Sequence, residues 1–206
     1  MKFCRAILFP VSFFLGLVAS ASAQVIASFT PASPFIAALP GGSTLAGQTF
    51  TANISGTAGV ATVLAQSVGA PPASITFELR SVSAGLPTAS ILGSVTVPAA
   101  TLTGSLANFS ADFSSQGIFL TGGQSYALTV GGTSLFALGG VADAYAGGAQ
   151  VQGSGGSFFF FAPSRDLGFS VSAAPAAAVP EPSTYGSLAA VLLAGAIAVR
   201  RSRGRR

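Results

Sequence analysis

At 206 residues the chain has room for one domain plus targeting segments. Half of its residues are apolar and only 7% are charged, which excludes a helical cytosolic protein with charged helix formers over its surface and favours short strands joined by many turns. The formal charge of +4 sits at the two ends, in Lys2, Arg5 and five C-terminal arginines. Between residues 24 and 179 two bases (Arg80, Arg165) face four acids (Glu78, Asp112, Asp143, Asp166), a net of −2, so the basic balance is not a nucleic-acid surface.

Residues 1–23 read as a secretory signal peptide. Lys2 and Arg5 give the positive start, Ala6 to Ala19 the apolar core, and Ala21-Ser22-Ala23 the small-x-small cleavage site. Cleavage after Ala23 makes Gln24 the first mature residue, with a signal peptidase and the secretory (Sec) machinery as partners. Cys4, the single cysteine, leaves with that segment. The mature body is then without thiol or disulfide chemistry.

Residues 24–47, with Pro31, Pro34, Pro40 and Gly41-Gly42, are expected to be irregular. Strands are predicted at Gln48–Ile54, Val60–Val68 and Ser74–Arg80. In the last, Ile75, Phe77 and Leu79 face one way and Thr76, Glu78 and Arg80 the other. Gly85-Leu86-Pro87 breaks the chain. Further strands are predicted at Ile91–Val97, Leu106–Phe113, Tyr126–Val130 and Ser134–Leu138. Residues 139–156 read as a long surface loop carrying Asp143 and Tyr145. Phe158–Phe161 and Leu167–Val171 close a body of eight or nine short strands, residues 24–172. That pattern predicts an all-β fold, an antiparallel β-sandwich or jelly-roll-like ectodomain.

An Ala/Pro linker, residues 173–178, leads into Val179-Pro180-Glu181-Pro182-Ser183. The two prolines hold this element extended. Tyr185–Val199 is almost wholly apolar, and Arg200, Arg201, Arg203, Arg205 and Arg206 follow. Fifteen residues make a helix of roughly 22 Å, short of the ~30 Å hydrocarbon core. Snorkelling arginines and local thinning would complete this single transmembrane helix, and the positive-inside rule puts residues 200–206 in the cytoplasm.

The three parts, in that order at the C-terminus, resemble the PEP-CTERM sorting signal of exported bacterial proteins. The resemblance covers residues 179–206 and implies processing by a membrane-embedded exosortase that cuts near Val179–Ser183. The body also resembles choice-of-anchor R type domains, over roughly residues 45–140. That likeness rests on Gln48-Thr49-Phe50, on Ile75–Leu79 followed by Gly85-Leu86-Pro87, and on Leu120-Thr121-Gly122-Gly123-Gln124-Ser125-Tyr126. It implies a β-rich extracellular module with no assigned activity.

The chemistry open to the body is narrow. With no histidine there is no Ser-His-Asp triad, and neither imidazole nor thiolate is available to bind zinc or copper. Paired carboxylates are the remaining enzymatic option, but Glu78, Asp112, Asp143 and Asp166 read as exposed solubilising charges, with Glu78 and Arg80 a solvated pair. Arg165 and Asp166 are placed in a turn after Pro163. Gly131-Gly132 and Gly153–Gly156 lack the lysine of a phosphate loop and read as turns. Asn53 and Asn108 match the glycosylation pattern, which a Ser-rich chain also produces by chance. Tyr145 is the aromatic singled out for ligand contact. The expectation is a non-enzymatic, cofactor-free exported protein of the envelope or extracellular matrix. It would be anchored transiently in the inner membrane, with a structural or adhesive role and extracellular polysaccharide as a partner. The alternatives are a carbohydrate-binding module and, behind it, a carboxylate-dependent hydrolase.

Overall fold

A computed structural model describes residues 23–142, 144–154, 156–161 and 165–175. The described chain is all-β. Its strands in order are β1 (Val25–Phe29), β2 (Phe35–Ala38), β3 (Leu45–Thr51), β4 (Gly56–Ser67), β5 (Ser74–Ser83), β6 (Leu86–Pro98) and β7 (Ala107–Asp112), then β8 (Phe119–Leu120), β9 (Ser125–Gly132), β10 (Phe136–Ala142), β11 (Gln150–Ser154), β12 (Ser157–Phe160), β13 (Arg165–Leu167) and β14 (Phe169–Ala173). A single 3-10 turn, Ser114–Gln116, interrupts them.

Two antiparallel sheets result. The larger has the path β1-β14-β4-β10-β13, with β7 and β8 also on β4 and β2 also on β10. The smaller runs β12-β11-β3-β9-β5-β6. Period-two alternation buries one face of each. Ile75, Phe77 and Leu79 of β5 and Leu128 and Val130 of β9 meet Ala61, Val63 and Ala65 of β4 and Leu138 of β10 in one core. Aromatic pairs cross between the sheets: Phe50 of β3 lies 5.5 Å from Phe169 of β14, and Phe77 of β5 lies 5.9 Å from Phe109 of β7.

Several expectations are corrected. Residues 24–47 are not irregular, since they hold β1 and β2. The prolines that suggested coil fall between strands or at their ends, and both strands lie on the margin of the larger sheet, where proline-rich flanks are tolerated. The expected loop at 139–156 contains the end of β10, where Gly139-Gly140 has no side chains to show alternation, and all of β11, where Val151 is the one apolar side chain. The break at Gly85-Leu86-Pro87 is a tight hairpin instead. Ser83 pairs with Leu86, and Ala84 (φ 51°) and Gly85 (φ 81°) both adopt left-handed backbone between them. Two left-handed central residues are what a type I′ turn requires. Arg165 and Asp166 lie in β13, not in a turn.

The smaller sheet curls, so β12 at one edge lies against the β5–β6 hairpin near the other edge. At the far side of the body, both described ends leave together: the Ala173 amide donates to the Gln24 carbonyl (2.6 Å) and the Ala174 amide to the Thr57 carbonyl (2.7 Å).

Candidate functional site

The polar side chains converge at two places, both built by strand register. In the first, Gln48 on β3 shares a strand face with Ala46 and Phe50 and so points between the sheets. There its Nε2 donates to Asp166 Oδ1 (2.8 Å) and its Oε1 accepts from the Leu167 amide (2.9 Å). Asp166 Oδ2 accepts from the amides of Ala144 and Tyr145, each at 2.9 Å. The carboxylate is 1% exposed. It ties three separate segments together: β3, β13 and the stretch after β10. Gln150 of β11 stands opposite Gln48 and is fully buried. It donates to the Ala37 carbonyl (3.1 Å), while its Oε1 has no partner among the described residues.

The second cluster lies on the other face of the smaller sheet. Arg80 reaches Glu78 Oε2 through Nε (2.9 Å) and NH2 (2.6 Å). Its NH1 donates to the carbonyls of Thr88 and Ala89 (3.0 and 3.2 Å). Phe158 of β12 covers the guanidinium at 5.1 Å, and Thr129 Oγ1 donates to Glu78 Oε2 (3.3 Å). Arg80 is only 4% exposed.

Two charge expectations are therefore corrected. Glu78 and Arg80 are not a solvated pair, because the curled sheet brings β12 over them. Asp166 is not an exposed charge, because β13 turns it into the space between sheets. Asp112 is exposed as expected. Its Oδ1 accepts from the Ser114 amide (2.8 Å) at the start of the 3-10 turn, and that bond holds its pKa below the ordinary carboxylate value. No two of these three acids share a hydrogen-bond partner, and no group of three metal-binding side chains occurs among the described residues. Asp143 lies outside the described residues.

Tyr145 is half-buried. Its ring packs 5.5 Å from Phe29 and, edge-on, 5.3 Å from Phe169, so it belongs to the wall of the core as well as to the loop. Burial pushes its phenol above 10, with the Asp166 charge adding to the effect and a backbone bond at Thr51 opposing it. Tyr126, expected in the core, is also half-buried, with its ring on Phe50 and its hydroxyl accepting from the Thr121 amide (2.9 Å). Asn53 and Asn108 are both exposed, Asn108 within β7. Gly131 and Gly132 close β9, and Gly156 (φ 87°) turns β11 into β12.

Ala23 and Gln24 of the cleavage site are described and exposed. Ala21, the sorting residues Val179–Ser183, the apolar run 185–199 and the five terminal arginines lie outside the described residues. Reading the sequence missed Gln48, Gln150 and Thr129. The available signal was polar Gln48 two positions from Phe50 on one strand face. Its acceptor, however, lies 118 residues away, and no local pattern identifies it.

Compared with known proteins, the chain matches no family model and no curated protein.

Proposed function

We propose that this chain is an exported protein of the bacterial cell envelope or extracellular matrix, sorted by an exosortase through residues 179–206, with a non-enzymatic structural or adhesive body. The body is a β-sandwich of jelly-roll type. The observation that carries this reading is where the charge goes. Of the five described charged side chains, Glu78, Arg80 and Asp166 are tied into the fold, and Asp112 caps a turn. Glu78 and Asp166, two of the groups that acid–base chemistry would use, are holding strands together.

What remains outside is hydroxyl-rich. Cross-strand pairs such as Thr62 with Ser110 (2.8 Å) and Thr76 with Thr96 (2.9 Å) line the solvent faces. A nearly uncharged hydroxyl surface suits close contact with hydrated polysaccharide, where fixed charge would add a salt-dependent repulsion or attraction. The shared exit of both described ends supports a tethered module, with the tail leaving beside the first mature residue.

The test is processing. Alanine at Pro180, Glu181 and Pro182 is expected to leave the precursor in the inner membrane of an exosortase-bearing host with its tail intact, as read by intact mass. Normal processing of that variant overturns the sorting assignment. The structural role predicts that the processed protein fractionates with the matrix and hydrolyses no glycoside.

A further inference from the structure

Exposed apolar side chains stand on the marginal strands of both sheets. Phe35, Ile36 and Leu39 project from β2 and its end, and Phe159 (55% exposed) and Phe160 from β12. Here the margins of the two sheets part. β2 belongs to the larger sheet and β11–β12 to the smaller, and a cleft of about 230 Å³ opens between them. Its walls are Ile36, Ala37 and Leu39 on one side and Gln152 and Phe161 on the other, with Arg165 at the rim.

Three features select the occupant. First, the lining is mostly hydrocarbon. Among the described residues Gln152 and Arg165 are the only polar side chains in it, too few to replace the hydration of a sugar ring. Second, the rim carries a cation. The Arg165 guanidinium lies 5.4 Å from the Phe35 ring centre and makes no ion pair or side-chain hydrogen bond among the described residues. A guanidinium beside a ring face is attracted to it and offers a planar N–H fork that suits a carboxylate. Its neighbour Asp166 is turned the other way, onto Gln48. Third, the volume is just below the ~300–1,000 Å³ of most ligand pockets, which suits one short chain and not a steroid or a polycyclic ring.

We propose that this cleft binds the anion of a medium-chain fatty acid, its chain between β2 and β11–β12 and its carboxylate on Arg165. The site's position favours a free carboxylate over the headgroup of the protein's own membrane. Arg165 begins the β13–β14 run and Ala173 ends it, about 25 Å away at ~3.3 Å per residue. The tail leaves from the Ala173 end, so the cleft lies at the opposite end of that run.

The test uses the full chain in nanodiscs of zwitterionic phosphatidylcholine, with empty discs as the partitioning control. Octanoate labelled at the carboxyl carbon is titrated and its carbon resonance followed. Saturable binding above the empty-disc background is expected, weakened about tenfold in Arg165→Gln and in a second variant, Leu39→Asn, that leaves the charge in place. Octanol, with the same chain and no charge, is expected to bind about tenfold more weakly than octanoate. Unfolding curves matching the wild type establish that both variants are folded. Absence of saturable binding, equal binding by Arg165→Gln, or equally tight octanol overturns the proposal. So does displacement of octanoate by discs containing anionic phosphatidylglycerol, which would make a bilayer headgroup the occupant.

Discussion

Removing the Asp166 carboxylate leaves three donors, Gln48 Nε2 and the amides of Ala144 and Tyr145, facing each other without an acceptor. Each unpaired buried donor costs about 1–3 kcal/mol. Asp166→Ala is therefore expected to lower stability by roughly 3 kcal/mol or more, a fall of several degrees in the melting temperature of a domain this size, read by thermal unfolding. Glu78→Ala has a parallel effect for a different reason. It leaves the Arg80 guanidinium buried under Phe158 with no counterion, a situation that costs about 3–5 kcal/mol when one partner of a buried pair is lost. Tyr145 carries a pH dependence. Its folded pKa is raised above 10, so the neutral phenol is the form the fold favours. That contribution is fully present below pH 10 and is lost as pH rises through the folded pKa. Tyr145→Phe is expected to flatten the alkaline limb of a stability profile measured from pH 8 to 12. It should also remove a component that ionises above pH 10 from the phenolate absorbance titration.

The hairpin joining β5 and β6 contains the one non-glycine residue with positive φ among those described, Ala84 at 51°. Left-handed backbone costs a residue with a β-carbon about 1–2 kcal/mol. Ala84→Gly at that position is expected to raise stability by about 1 kcal/mol, measured by urea unfolding, in spite of glycine's greater chain entropy. Further along β6, the exposed edge of the smaller sheet meets a side chain acting as a strand. Gln116 Oε1 accepts from the Ser94 amide (3.1 Å) and its Nε2 donates to the Ser94 carbonyl (2.7 Å). Both edge groups of Ser94 are thereby covered, which blocks pairing with another molecule. Gln116→Ala should expose them and increase concentration-dependent self-association in sedimentation velocity, with little change in the fold itself.

At the scale of the molecule, the two sheets are joined by apolar packing over most of their area and by polar bonds that include Gln48 to Asp166 and Leu167 and Gln150 to Ala37. Those bonds cross between segments more than a hundred residues apart. The curl of the smaller sheet does a second job: it lays Phe158 over Arg80 and so turns a surface ion pair into a buried one. The polar link sits beside a close strand approach, since Gly140 of β10 stands so near the Asp166 carbonyl and the Ala37 β-carbon that an added methyl would collide with both. This is the point where β2, β10 and β13 meet beneath the proposed cleft, and its close approach holds the cleft's β2 wall against the buried polar link.

The alternation in Ile75–Leu79 and Tyr126–Val130, the shortage of charge, and the turn residues between apolar runs were enough to determine an all-β body and most of its strands. They were local signals, and period-two patterning is legible without knowing any partner. β1, β2 and β11 were hidden because proline and glycine mark turns by sequence but are also accepted in marginal or tightly approached strands, a distinction set by neighbours in space. The fate of the charges was decided only in three dimensions. Glu78, Arg80 and Asp166 look like solvated surface charge along the chain. Whether such a group meets water or a partner depends on which distant strand covers it, and that follows from the curl and pairing of the sheets.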